Sequence, residues 1–170
     1  MTSLALLSRC PRVKVSFFVP GRPIAKQSFR VGRFGGYQPK RVTDFKKLAT
    51  LIANEAAKKQ GWIKHDGPLH LELMFRFRCP KSARKADKAI ERWNTKRPDL
   101  DNIEKSITDG LDGLMNDDSQ ICSKSSIKTI APFGEPEGTH VTVHTLGEYN
   151  EQTKELVGES VRPDGQQGPD

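Results

Sequence analysis

With 170 residues the chain has room for one ordinary domain with a core of its own, and too little for two. Hydrophobic residues make up only 35% of it, less than in a fully packed domain, so part of the chain is expected to stay outside the core. The net charge of +7 points to a polyanionic partner. Three scattered cysteines without a CxxC or a nearby His pair argue against a disulfide scaffold and a zinc site, and no run approaches the ~20 apolar residues of a membrane span.

The opening MTSLALLSRCPR has a short apolar run with its positive charge after it, which fails as a signal peptide, and residues 1–12 are expected to form a flexible extension. Cysteine usage fits a reducing cytoplasm. Residues 14–19, KVSFFV, place Val15, Phe17 and Val19 on one side of a first strand that Pro20 and Gly21 stop. GRPIAKQSFRVGRFGGYQPK then reads as a long basic loop without a period. Thr43 is the expected N-cap of a helix over 44–60, with Phe45, Leu48, Leu51, Ile52 and Ala56 on its apolar face and Gly61 ending it.

LHLELMFRF, residues 69–77, alternates cleanly and predicts a half-buried strand. The basic stretch after it predicts a short helix near 82–93, with Ala83, Ala86, Ile90 and Trp93 near one face. Ile103, Ile107, Leu111 and Leu114 recur at helical spacing, so a second main helix is expected over 102–114. Two last strands, near 121–131 and 139–146, flank FGEPEG, a plausible hairpin loop. Residues 148–170, with six acids against two bases and no apolar period, read as a disordered acidic tail, which leaves 1–147 at +11. The expected fold is α+β: a small mixed sheet of about four strands with two main helices, in the order β-α-β-α-β-β, over residues 13–147.

Seven carboxylates crowd into RPDLDNIEKSITDGLDGLMNDDSQI, residues 97–121, of this basic chain. Asp99 and Asp101 alternate around Leu100 and, on an extended backbone, project to the same side, where the pair can grip a cation. The competing reading makes Asp101 a helix N-cap, with Glu104 completing a capping box. That reading leaves Asp99 and the Asp117–Asp118 pair without a role. A chain that turns after the helix can return Asp118 beside Asp99 and Asp101, and three carboxylates supply oxygen ligands suited to Mg²⁺ or Mn²⁺. An EF-hand is disfavoured, since the run lacks a third ligand and a central Gly. Lys105 sits one turn after Asp101, either as its i,i+4 ion-pair partner or as an ammonium near the metal that bonds a phosphate oxygen. Glu104, Asp109 and Asp112 are expected on the helix surface.

Acids at the centre and bases around them are what metal-assisted phosphodiester hydrolysis requires, because cations on the carboxylates and the surrounding bases together hold phosphate. Residues 22–47 carry eight bases against one acid, and 81–97 seven against two. Arg22, Lys26, Arg30, Arg33, Lys40, Arg41, Lys96 and Arg97 are the candidate DNA contacts. Phe29, Phe34, Tyr37 and Trp93 either stack on exposed bases or anchor loops.

The acidic stretch resembles the signature of the RusA-type Holliday junction resolvases of bacteria and their phages. The resemblance lies in PDLDN, in a Lys four residues past its second Asp, in the D-x-L-x-G pattern of DGLDG and in the downstream DDSQI. PGRPIAKQSFRVGRFGGYQPKRVTDF is similar to the basic N-terminal loop of phage members, and the likeness spans roughly 13–147. It implies a small α+β fold, a homodimer, and a Mg²⁺-dependent crossover junction endodeoxyribonuclease acting on four-way branched DNA in recombination and repair. It further implies Asp99, Asp101 and Asp118 as catalytic metal ligands with Lys105 as the catalytic lysine. No membrane and no organic cofactor are expected, and the setting would be the cytoplasm of a bacterium or a phage-infected host. Two alternatives stay open: a non-catalytic junction-binding or architectural protein, and a metal-dependent nuclease of flaps or RNA.

Overall fold

The segment LHLELMFRF becomes the central strand of the domain because its alternation gives it a fully apolar face. Leu69, Leu71, Leu73, Phe75 and Phe77 are all buried on that face. The computed structural model describes residues 13–26, 30–32 and 35–147, with side chains for 13–26 and 38–147. The first strand β1 spans Lys14–Pro20, β2 Arg30–Gly32 and β3 Gly35–Tyr37. Helix α1 spans Lys40–Gln60, the central strand β4 Leu69–Phe77, and the short α2 and β5 cover Lys85–Ala89 and Arg92–Trp93. Helix α3 spans Leu100–Thr108, a single 3-10 turn covers Asp118–Gln120, and β6 and β7 run over Ile121–Ile130 and Gly138–Thr145.

The mixed α+β architecture is the expected one, with the main elements in the expected order. The sheet has five strands in the order β1-β7-β4-β6-β5, in which β4 and β6 are parallel and the other pairs antiparallel. Helix α3 therefore lies within the crossover that any parallel pair requires. The hairpin expected between the last two strands does not form. β4 inserts between β6 and β7, pairing with β6 over Leu69–Phe77 and with β7 over Leu69–Arg76, so FGEPEG bridges over it. Within the stretch read as a featureless loop, β2 and β3 pair as a small antiparallel ribbon of their own.

Helix α1 starts earlier than expected, after Pro39, and Thr43 lies inside it; at the other end Gly61 closes it in the left-handed conformation, φ 67°, as expected. Its buried stripe is Phe45, Ala49, Ala53 and Ala56, while Leu48 and Leu51 of the expected face are 37% and 58% exposed. Small alanines bring the helix close to the sheet and to the end of α3. At that crossing a methyl group on Gly110 would meet Ala49 Cβ at 2.9 Å and Lys46 O at 3.2 Å. Helix α3 buries Ile103 and Ile107 but stops at Thr108; Leu111 and Leu114 reach the same core from the turns that follow. Trp62 Nε1–H ties those turns down by donating to Leu114 O at 2.9 Å, in the interior. The helix expected at 82–93 shrinks to α2 and buries nothing, with Ile90 and Trp93 each 61% exposed. The flexible extension of residues 1–12 and the tail of 148–170 lie outside the described residues.

Candidate active site and nucleic-acid interface

Two turns hold the acidic residues, one before α3 and one after it. The first is pinned by Lys128 of β6, whose Nζ donates to Lys96 O and Pro98 O at 2.8 and 2.7 Å. Asn94, buried beneath it, donates its N–H to Lys128 O at 3.0 Å and accepts from Lys96 N at 3.0 Å. The strand thus fixes where the chain enters the helix. Asp99 is the N-cap residue with an extended backbone, its side chain making no capping bond, and Asp101 lies in the first turn. The competing reading, in which Asp101 caps the helix, is not met: neither acid makes a capping bond, and both are exposed.

The capping box instead closes the second turn. Asp117 accepts from Ser119 N at 2.8 Å, and Gln120 Oε1 accepts from Asp117 N at 3.1 Å. Gln120 Nε2 also donates to His65 O and Gly67 O at 2.6 and 3.0 Å, binding the turn to the loop before β4. The bonds from Ser119 hold the Asp117 carboxyl below its ordinary pKa. Asp117 is occupied in shaping the turn, and Asp118 is the member of the pair that faces the cleft.

That cleft, about 330 Å³, opens between α3 and the start of β6 and is lined by Lys105, Thr108, Asp109, Asp118, Cys122, Ser123 and Lys124 with Ile121. Lys105 joins the two acidic turns. Its Nζ lies 3.4 Å from Asp101 Oδ2, one helical turn back, and the same side chain borders the cleft with Asp118. The i,i+4 ion pair is thus present, and Lys105 and Asp118 line one cleft.

Asp99, Asp101 and Asp118 do not form a ready-made cage. Among the described residues no group of three His, Cys, Asp or Glu side chains is disposed to hold a metal ion. Like charges repel, and the charged partner Asp101 has is Lys105, in an exposed i,i+4 pair. The residues nonetheless suit a hard cation such as Mg²⁺. That ion is usually held by one or two carboxylates, with water and substrate phosphate completing its shell, and here Asp118 lines the cleft together with Lys105, which pairs with Asp101.

The basic residues divide. Lys26 comes to the cleft: its Nζ bonds Asp109 Oδ2 at 2.7 Å and its N–H donates to Asn102 O at 2.8 Å, which fastens the segment after β1 along α3. Arg22, Lys40, Arg41, Lys96 and Arg97 are exposed, the last two on the turn leading into Asp99. Arg30 belongs to β2 with its side chain outside the described residues, as are Arg33, Phe29 and Phe34 in full and the side chain of Tyr37. Trp93 is exposed on β5.

The protein-family model described as Endodeoxyribonuclease RusA matches residues 20–144, which takes in both acidic turns, the cleft and the basic segment after β1. The chain belongs to the RusA endodeoxyribonuclease family. No curated protein matches it. In this RusA-family chain the sequence reading missed two cleft features. Glu104, expected on the helix surface, is buried and ion-paired with Lys124, and Asp109 lines the cleft in its pair with Lys26. Asp112 does stay on the surface, 3.8 Å from Lys46. A charged residue at Lys124, in a strand position that alternation directs toward the helices, was the available signal.

Proposed function

We propose that this chain is a Mg²⁺-dependent crossover junction endodeoxyribonuclease, in which Mn²⁺ can substitute, that resolves four-way DNA by paired hydrolysis of phosphodiesters in recombination and repair. The observation that carries this reading is the placement of Lys105, in contact with Asp101 and bordering the cleft of Asp118, inside a domain of the RusA family. Asp99, Asp101 and Asp118 would hold the ion. When bound, such an ion lowers the pKa of an attacking water and offsets charge on the leaving oxygen.

The chain's own residues supply the rest. Lys26, Lys96 and Arg97 surround the acids with positive charge and draw the DNA backbone toward carboxylates that would otherwise repel it. Lys105 presents its ammonium to the scissile phosphate or to the oxygen that departs from it. A four-way junction has two strands related by approximate two-fold symmetry, so a homodimer with two equal sites matches it. The function is carried out on nucleic acid without an organic cofactor. No helix among the described residues is long and apolar enough to cross a membrane.

The test is incubation of the protein with an end-labelled four-way junction, and with flap, duplex and RNA substrates, in Mg²⁺ or in EDTA. Paired symmetric nicks in the junction, present only with the metal, are the expected result. Binding without cutting under every metal condition would reduce the protein to a junction-binding module.

A further inference from the structure

Glu104 is an acid that the proposed chemistry does not use, and it is the buried one. Its side chain, on the buried face of α3, is 11% exposed, and its Oε2 pairs with Nζ of Lys124, which rises from β6 at the register position beside Leu71. A buried carboxylate requires a partner, since an unpaired charge there is strongly disfavoured. The pair therefore fixes the lysine as well as the acid. Lys124 keeps 43% of its side chain exposed, and what it exposes borders the same cleft as Lys105 and Asp118. An ordinary surface lysine samples many rotamers; this one is tethered at a cleft wall, across from the lysine of α3.

We infer that Lys124 is a second phosphate-binding cation of the cleft, held in place by Glu104 as a positioning residue, and that it takes the DNA phosphate next to the one at Lys105. The inference deepens the nuclease reading and rests on it for the identity of the polyanion. Two ammonium groups on opposite walls, one from the helix and one from the strand, would fix the direction of the strand through the cleft, whereas Lys105 alone fixes only a point along it. The carboxylate of Glu104 is buried and in contact with the Lys124 ammonium, so it orients the lysine while a further part of that side chain stays exposed at the cleft.

Counterion release separates a phosphate contact from a structural role. The affinity of the full-length protein for a fluorescein-labelled four-way junction would be measured in EDTA over a range of salt concentrations. Each lost phosphate contact should make the slope of log K against log salt shallower by about 0.9. Lys124→Ala is expected to show that change and Lys124→Arg to keep the wild-type slope. An unchanged slope in Lys124→Ala overturns the phosphate contact. Because an unpaired Glu104 can destabilise the fold, the double variant Lys124→Gln/Glu104→Gln is measured alongside and is expected to lose the same slope. Glu104→Gln alone retains the lysine charge and should keep the slope while kcat on the junction falls by about tenfold or more through misplacement of the strand; an undiminished kcat overturns the positioning role. A wild-type protein that cuts no DNA would defeat the nuclease reading, and the slopes in EDTA would still decide whether Lys124 binds phosphate.

Discussion

Lys105 Nζ stands 3.4 Å from Asp101 Oδ2, and the same side chain lines the cleft that Asp118 also lines, so one lysine pairs with an acid of the first turn and shares a cleft with an acid of the second. Lys105→Met should remove that link while leaving the apolar stem of the side chain in place. Loss of one oriented donor at a site of developing charge costs roughly 10²–10³-fold in rate. Single-turnover cutting of a junction is expected to slow by that order with only a modest change in binding. A rate equal to wild type would remove Lys105 from the chemistry.

The adjacent aspartates of the second turn should separate cleanly. Asp118→Asn is expected to abolish cutting and to leave junction affinity equal or stronger, because a negative charge near phosphate is lost. Asp117→Ala should instead lower the melting temperature, since the Ser119 N–H loses its acceptor, while folded molecules go on cutting. The Asp117 carboxyl is held below its ordinary pKa, so its contribution to stability is present above the unfolded value and fades as pH falls through the folded one. Equal loss of cutting in both variants would contradict the division of labour.

Much of this fold could be read from local pattern, and the misreadings share a cause. The alternation of β4 and the Gly61 helix end are local signals, and both appear where expected. The pairing of β6 with β4 instead of β7 is decided by the whole sheet, which no turn motif between them encodes. Leu111 and Leu114 continue the helical spacing of Ile103 and Ile107 because they serve the same core, yet they do so from turns. Glu104 was read as a surface acid because its partner stands 20 residues downstream on another element. The acidic cluster is legible in the sequence as a run of carboxylates; that Asp109 and Asp118 line the cleft is settled by tertiary placement, and the turns before and after α3 are held by Lys128 and Gln120.

The crossing of α1 and α3 offers a test of how the site is held. Gly110→Ala drives a methyl into Ala49 Cβ and the Lys46 carbonyl, and overpacking of that kind costs about 1–3 kcal/mol. Because the clash acts on the C-terminal end of α3, the displacement should reach Lys105 and Asp109 and lower kcat as well as stability. Adding Ala49→Gly removes the nearest contact and is expected to recover part of both losses, as measured by urea unfolding and junction cutting. A double variant no better than the single one would place the strain elsewhere.

On the sheet face that alternates away from α1, His70 of β4 is buried, with Nδ1 2.9 Å from Ser123 Oγ and Nε2 3.6 Å from Glu72 Oε1. Burial holds its pKa below the ordinary 6.5, assisted by His144, with Glu72 opposing in part. His140, farther along β7, is lowered in the same way by burial and by Arg76, with Glu91 opposing. A histidine with a depressed pKa binds fewer protons folded than unfolded, so stability is full above the unfolded value of 6.5 and declines as pH falls through the folded one. Calorimetry from pH 7.5 to pH 5 should therefore show a falling melting temperature, and His70→Gln should flatten part of that decline even if it lowers the temperature at pH 7.5. A decline as steep in His70→Gln as in the wild type would assign the acid sensitivity to His140 or to the carboxylates.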